Sequence, residues 1–445
     1  MQIGNGKSLI TAVLIIVHCI ACRSPGPGLF TKRSPHEQYG QRLADAGLRE
    51  SALGRRWFRA ADKSLDAPLT VTLPYKETGY FAAELPSATG IRFGVRKGEK
   101  LSVILEKKPA TGFAIFYDLW ELPAATAGGK PKLLTAGDTT GKPLELDIKE
   151  DGNYILRLQP ELLKSGEYLL TITTGPSLAF PLPASVKPTI GSFWGAGRDN
   201  GARKHEGIDI FAPKHSPAIA CADGVVTSVS ENSLGGKVVF MRPEGKNYVL
   251  YYAHLDSQLV STGQTVHTGD VLGLTGNTGN ARYTPSHLHF GIYTSGGATD
   301  PLPFVNPVKK EPAQVSASLA NLGKLVRGGS RSKLYSEPAG HNPPTTLPGD
   351  VLLRIEAAAA NWYKVALPDG QTGFISSADV KGLNTPVKRA TMRASLALLD
   401  EPDTLGVRKT VLPAGSRVDV LASYKDFYFV GSSDTLTGWV KKQAL

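Results

Sequence analysis

Three short runs in the middle of the chain gather residue types that bind metal ions and move protons. Arg203-Lys204-His205-Glu206-Gly207-Ile208-Asp209 sets a His and an Asp four residues apart. On a strand that spacing puts both on one face, and Gly207 permits a tight approach. Ser286-His287-Leu288-His289-Phe290 spaces two imidazoles two residues apart, so a strand would present both on one side and pack Leu288 and Phe290 on the other. Tyr251-Tyr252-Ala253-His254-Leu255 lies between them. A His, an Asp and a His make three protein ligands, and the open fourth tetrahedral position is what a catalytic rather than a structural zinc requires. Two imidazoles then remain for proton transfer. A lone HxxxD, or one His on a strand, carries little weight. The coincidence of three such runs in a region holding six of the nine histidines carries much more.

The order and spacing of these runs resemble the lysostaphin-like metallopeptidases, peptidase family M23, which includes the LytM-type wall hydrolases. Gly263 to Asp270 and Gly276-Asn277-Thr278-Gly279, between the last two runs, belong to the same resemblance. It spans about Ile190 to Phe304, under a third of the chain. It implies an HxGxD motif on His205, Gly207 and Asp209 and an HxH motif on His287 and His289, with His289 the third ligand of one Zn²⁺ per chain. It also implies that His254 and His287 are catalytic, exchanging protons while a metal-activated water attacks the scissile carbonyl. The implied activity is that of a zinc metalloendopeptidase hydrolysing peptide bonds of peptidoglycan. Two departures touch the cleft. Ser192-Phe193-Trp194-Gly195-Ala196-Gly197-Arg198-Asp199-Asn200 replaces a compact Phe-Gly-x-Arg, which implies an altered loop over the metal, and Phe290-Gly291 replaces a frequent Phe-Glu. No substrate-binding residue is assigned.

The elements that must position these residues are predominantly β. With 48 Gly and 31 Pro among 445 residues, short strands and turns are favoured over long helices, and the length calls for several domains. Residues 23–66 read as a tether followed by two short helices, with Tyr39, Leu43, Leu48, Leu53 and Trp57 at helical spacing and Gly47 as the break. Residues 67–177 alternate as a β-sandwich, in runs such as Leu101-Ser-Val-Ile-Leu and Tyr154-Ile-Leu-Arg-Leu. Residues 178–312 form the peptidase-like domain around an antiparallel sheet, and 313–322 a polar linker. Then the chain repeats approximately. Residues 323–384 contain Leu347-Pro-Gly-Asp, Trp362-Tyr-Lys-Val and Thr372-Gly-Phe-Ile; residues 385–445 contain Leu412-Pro-Ala-Gly, Phe427-Tyr-Phe-Val and Thr437-Gly-Trp-Val. Both units resemble bacterial SH3-like barrels, with Trp362, Phe374, Phe427 and Trp439 expected in the small barrel cores.

Residues 1–22 read as a signal segment: one cation, Lys7, precedes the apolar run Leu9 to Val17, which is too short to span a bilayer. Ala21-Cys22 resembles a lipoprotein processing site, so Cys22 is the expected lipidation residue and membrane anchor, and the protein is expected in the cell envelope. Cys221 then stands alone, expected as a free buried thiol. His215 and His267 are expected at the surface, and His36 and His341 sit in polar surroundings with no expected role. The net charge of +11 is scattered, which disfavours nucleic acid and fits an anionic wall polymer as a partner beside peptidoglycan peptides. A non-hydrolytic wall-binding scaffold or activator of another hydrolase is the alternative from a different class. Gly269 to Gly276 also resembles a carrier-domain hairpin, but it has no lysine at its tip.

Overall fold

The computed structural model describes Met1 and residues 33–123, 129–198, 201–338, 342–432 and 436–445. The signal segment with Cys22, most of the tether, and Asp199, Asn200 and His341 lie outside the described residues. Among the described residues no helix is long and apolar enough to cross a membrane. The chain is mainly β, in several sheets whose strands are antiparallel apart from one short edge pairing.

Two helices come first, Pro35–Asp45 and Ala52–Asp66. Ser34 and Glu37 form a capping box at the start of the first, satisfying two backbone donors reciprocally, and Gly47 closes it in the left-handed region at φ 70°. Leu43 and Trp57 carry the helices onto Phe116 of the following domain. His36 departs from expectation: it is buried and stacks on Trp57 with ring centroids 4.7 Å apart. Its Nε2 donates to Gln159 Oε1 at 2.6 Å, and its Nδ1 accepts from Arg157 Nη2 at 3.1 Å. The neighbours of His36 in sequence are polar, but its partners come from the strand Gly152–Pro160.

The sandwich has one five-stranded sheet, in the order Leu69–Thr70, Thr89–Val95, Gly152–Pro160, Ile115–Glu121 and Lys132–Ala136. Its facing sheet orders Tyr75–Phe81, Gly166–Pro176, Glu99–Lys108 and Leu144–Asp147, and it does not stop at Tyr75–Phe81. Thr78 and Gly79 pair with Ala358 and Ala357 of the strand Leu352–Ala359, so the sheet runs on into the first C-terminal repeat. This fusion changes what the repeat aromatics do. Phe374 is buried in the sandwich core and Trp362 packs against it, while Phe427, Phe429 and Trp439 fill the seam between the two repeats. The second repeat keeps a smaller core of its own, around Leu398, Val420 and Val440. Ala317, within the expected linker, is buried in the core of the repeats.

The central region builds a ten-stranded sheet. Its main order is Thr189–Ser192, Ile208–Phe211, His287–Thr294, Val249–Gln258, Gly236–Pro243, Gly224–Asn232 and Thr265–Val266. Its core face is filled by Ile208, Ile210, Val239, Leu250, Tyr252, Leu288 and Phe290. Cys221 is a buried free thiol; burial pushes it up to about 12, against a hydrogen bond from the Tyr252 hydroxyl at 3.1 Å.

Candidate metal centre

The face of that sheet opposite the core carries the chemistry. Strands Ile208–Phe211 and His287–Thr294 pair with Asp209 directly across from His289, and Ala253 lies across from His289 on the other side. Alternation along His287–Thr294 sends Leu288 and Phe290 into the core and leaves His287 and His289 on the outer face, as the spacing requires. His205 reaches in from just before Ile208. Its Nε2 lies 3.0 Å from Asp209 Oδ1 and 3.0 Å from His289 Nδ1, and the last two atoms are 2.9 Å apart. His205, Asp209 and His289 are the group that could hold a metal ion.

The ligand atoms fit a small cation. The His205 Nδ1–H donates to the Phe193 carbonyl at 3.0 Å, so its Nε2 presents a lone pair to an anionic carboxylate oxygen and another imidazole. Lone-pair atoms converging in this way repel unless a cation lies among them, and zinc–nitrogen bonds of ~2.0–2.1 Å in a tetrahedron separate ligand atoms by about 3.3 Å. Burial alone would raise the Asp209 carboxyl, but the His205 and His289 rings beside it, in any state that puts a proton on the nitrogen facing Oδ1, outweigh it and hold Asp209 well below the usual range. His289 is lowered by burial and by the neighbouring imidazoles, against the pull of Asp209. A carboxylate and neutral imidazoles are the forms that ligate metal.

Gly207 is required by contact rather than by backbone angle. A Cβ there would sit 2.6 Å from the Phe290 carbonyl oxygen and 2.7 Å from His289 Cε1. Arg198 is the residue that the sequence reading did not single out. Its Nη2 donates to Asp209 Oδ2 at 2.6 Å and to Ser192 Oγ at 2.8 Å, which occupies one carboxylate oxygen and leaves Oδ1 for a metal. The available signal was the Arg that ends the Phe-Gly-x-Arg pattern, displaced here by the longer run. The described part of that run lines the cleft at Ser192 and Arg198. Gly195 donates to the His205 carbonyl and His205 to the Ala196 carbonyl, at 2.9 and 2.8 Å, so it lies beside the ligand as a paired extension.

His254 and His287 stand next to the ligands, their ring centroids 5.0 Å apart. Each donates Nδ1–H to a backbone carbonyl 2.9 Å away, His254 to Thr278 and His287 to Pro285, leaving each Nε2 as the free basic nitrogen. Burial and the facing imidazoles of His287 and His289 lower His254 to about 4, so it is neutral at pH 7. Its backbone is unusual: φ is 60°, where the pairing of Val249–Gln258 with Gly236–Pro243 slips out of register. Bulges of this kind normally place glycine in that conformation. A non-glycine residue held there is strained, a feature concentrated at functional sites.

These residues line a cleft of about 900 Å³ together with Arg203, Lys204, Tyr251 and Tyr293. Every residue lining it falls between Ser192 and Tyr293, so among the described residues neither the helices, the sandwich nor the repeats forms a wall of the cleft. His215 and His267 are exposed outside it, beside Asp256 and Asp270.

Comparisons with known proteins agree with this geometry. A model of peptidase family M23 matches residues 203–301. An L-Ala--D-Glu endopeptidase of Bacillus subtilis is 38% identical over 130 residues, 27% of this chain and 40% of that protein. The peptidoglycan DD-endopeptidase ShyA of Vibrio cholerae is 34% identical over 127 residues, 27% of this chain and 29% of its own length. The solved catalytic domain of the antimicrobial peptidase lysostaphin from Staphylococcus simulans is 26% identical, with 28% of this chain and 97% of that domain covered at a TM-score of 0.25. The chain thus spans less than half the length of these curated relatives. Residues 203–301, with the His205–Asp209–His289 cluster at their centre, are a peptidase family M23 domain.

Proposed function

We propose that the chain is a zinc-dependent endopeptidase that hydrolyses peptide bonds of peptidoglycan. The observation that carries this reading is the convergence of three ligand atoms within 3.0 Å of one another, beside two imidazoles whose tautomers are fixed by backbone carbonyls. The relatives supply the substrate class: one is a peptidoglycan DD-endopeptidase by name and another an L-Ala--D-Glu endopeptidase. Zn²⁺ held by His205 Nε2, Asp209 Oδ1 and His289 Nδ1 would supply Lewis acidity and lower the pKa of water. Arg198 orients Asp209, and the Phe193 carbonyl orients His205. His254 and His287, each with Nδ1 tied to a backbone carbonyl and Nε2 left free, accept a proton from the attacking water. Once protonated, they donate to the carbonyl oxygen or to the leaving amine. Lipidation of Cys22 and the charge of +11 would hold the enzyme at an envelope membrane near anionic wall polymer.

The test combines metal analysis with digestion. Purified chain should retain about one zinc and release new amino groups from sacculi, and His289→Ala should lose both. Full zinc occupancy with intact sacculi would instead support the non-hydrolytic scaffold.

A further inference from the structure

The strand pairing around His254 is interrupted, and a residue from outside both strands closes the gap. Lys237 lies across from Leu255 and Val239 across from Tyr252. Two residues, Ala253 and His254, therefore oppose Val238 alone, a bulge that disrupts the ladder locally. The Thr278 side chain enters at that point. Lys237 N–H donates to Thr278 Oγ1 at 3.0 Å, and Thr278 Oγ1–H donates to the Leu255 carbonyl at 2.8 Å. One hydroxyl serves as acceptor and donor at once and ties the two strands together one residue beyond His254. Thr278 itself lies in the turn between the strands Val271–Thr275 and His287–Thr294. Asn280 N–H holds that turn down by donating to the Leu234 carbonyl at 3.1 Å, and a Cβ on Gly279 would lie 2.3 Å from Gly236 N. The Thr278 carbonyl is the group that accepts from His254 Nδ1 at 2.9 Å. The same residue thus grips the bulge with its side chain and the ring with its backbone.

We propose that Thr278 is a positioning residue for His254: its hydroxyl, clamped between Lys237 and Leu255, keeps its own carbonyl on the His254 Nδ1–H and so leaves the Nε2 lone pair available in the cleft. Valine has nearly the same shape without the hydroxyl. It would strand the Lys237 N–H and the Leu255 carbonyl without their partner and release the turn that carries the orienting carbonyl. Serine keeps both bonds. The inference rests on the proposed hydrolysis for the work that His254 does, whereas the ring's tautomer is read without any substrate.

Selective ¹⁵N labelling of histidine in the zinc-loaded full chain at neutral pH tests it, with the His254 signals assigned by their loss in His254→Gln. The wild-type ring should carry its proton on Nδ1, with Nε2 bare. Thr278→Val should replace that single form by a mixture of tautomers, and should lower kcat on defined wall peptides about 10–100-fold with KM and zinc content close to wild type. Thr278→Ser should restore both the ring signals and kcat. Thr278→Ala, which removes the hydroxyl with less bulk, gives the same reading if the valine variant does not fold. A wild-type ring protonated on Nε2 overturns the proposal without recourse to any variant. So does a Thr278→Val chain that is less stable but keeps the wild-type ring signals and kcat, which would make the hydroxyl a structural tie alone, and so does a loss that serine fails to restore. The expected ring signals in every variant, together with wall peptides left uncut by the wild-type chain, would overturn hydrolysis and leave the positioning of His254 standing.

Discussion

His254 sits at φ 60°, and two substitutions separate the cost of that backbone from the work of the ring. His254→Ala and His254→Gly both lose the imidazole, its hydrogen bond to Thr278 and its burial, so those losses cancel between them. What differs is the backbone. A left-handed conformation costs an L-residue roughly 1–2 kcal/mol, and glycine escapes that cost. Glycine has more unfolded-state freedom to lose, which takes back about 0.4–1 kcal/mol. The net expectation is that His254→Gly is the more stable variant by about 0.5–1 kcal/mol. At an ordinary strand position the order is reversed, with glycine roughly 0.5–1 kcal/mol worse than alanine. Hydrogen exchange resolved over residues 203–301 at increasing urea, with metal chelated in both variants, reports on this domain. Both variants should lose activity by about 10²–10⁴-fold while holding zinc once it is restored. Alanine as stable as glycine would refute strain at His254, and loss of zinc from either variant would refute its assignment outside the ligand set.

Gly207→Ala should drive a Cβ into the Phe290 carbonyl and the His289 ring; a zinc affinity at least about tenfold weaker by chelator competition is expected, and unchanged affinity would show that the ring yields freely. Lys364→Met leaves the fully buried Glu77 with Tyr75 and Tyr168 as its partners among the described residues, and should cost about 3–5 kcal/mol in denaturation monitored at the sandwich. The double variant with Glu77→Leu should recover much of that. His36 is lowered by burial first and by Arg157 second, so the unfolded chain binds the extra proton and stability falls as pH drops below the unfolded value of about 6.5. The protection of residues 33–66 against hydrogen exchange, taken relative to the intrinsic rate at each pH, should therefore fall between pH 7 and 5.5, and His36→Gln should flatten that dependence.

The convergence of His205, Asp209 and His289 was legible because its information is local. A four-residue spacing and a two-residue spacing decide which side chains share a face whatever the rest of the chain does, and Gly207 marks a close approach within the same run. The two short helices were legible for the same reason, from the spacing of Tyr39, Leu43, Leu48, Leu53 and Trp57 with Gly47 as the break. What could not be read depends on pairing between distant segments. His36 is buried by a strand 123 residues away, and Lys364 meets Glu77 across 287 residues. The destination of Phe374 followed from that second meeting, and that of Trp439 from the packing of the two repeats on each other. A barrel-like repeat predicts that its aromatics are buried, but not that a neighbouring sheet supplies the other half of their core.

The pairing of Thr78 and Gly79 with Ala358 and Ala357 also makes the peptidase domain an insertion within a larger closed unit. Synthesis runs from the N-terminus, so the edge of Tyr75–Phe81 is made long before the strand that covers it. Until Leu352–Ala359 appears, that edge offers unpaired backbone groups to any other chain, with the carboxylate of Glu77 still without its lysine. The intervening peptidase sheet pairs only within its own segment and can fold first. Completion of the outer unit is then the late, long-range step, and a chain interrupted before the first repeat would carry a formed catalytic domain on an unfinished and adhesive platform.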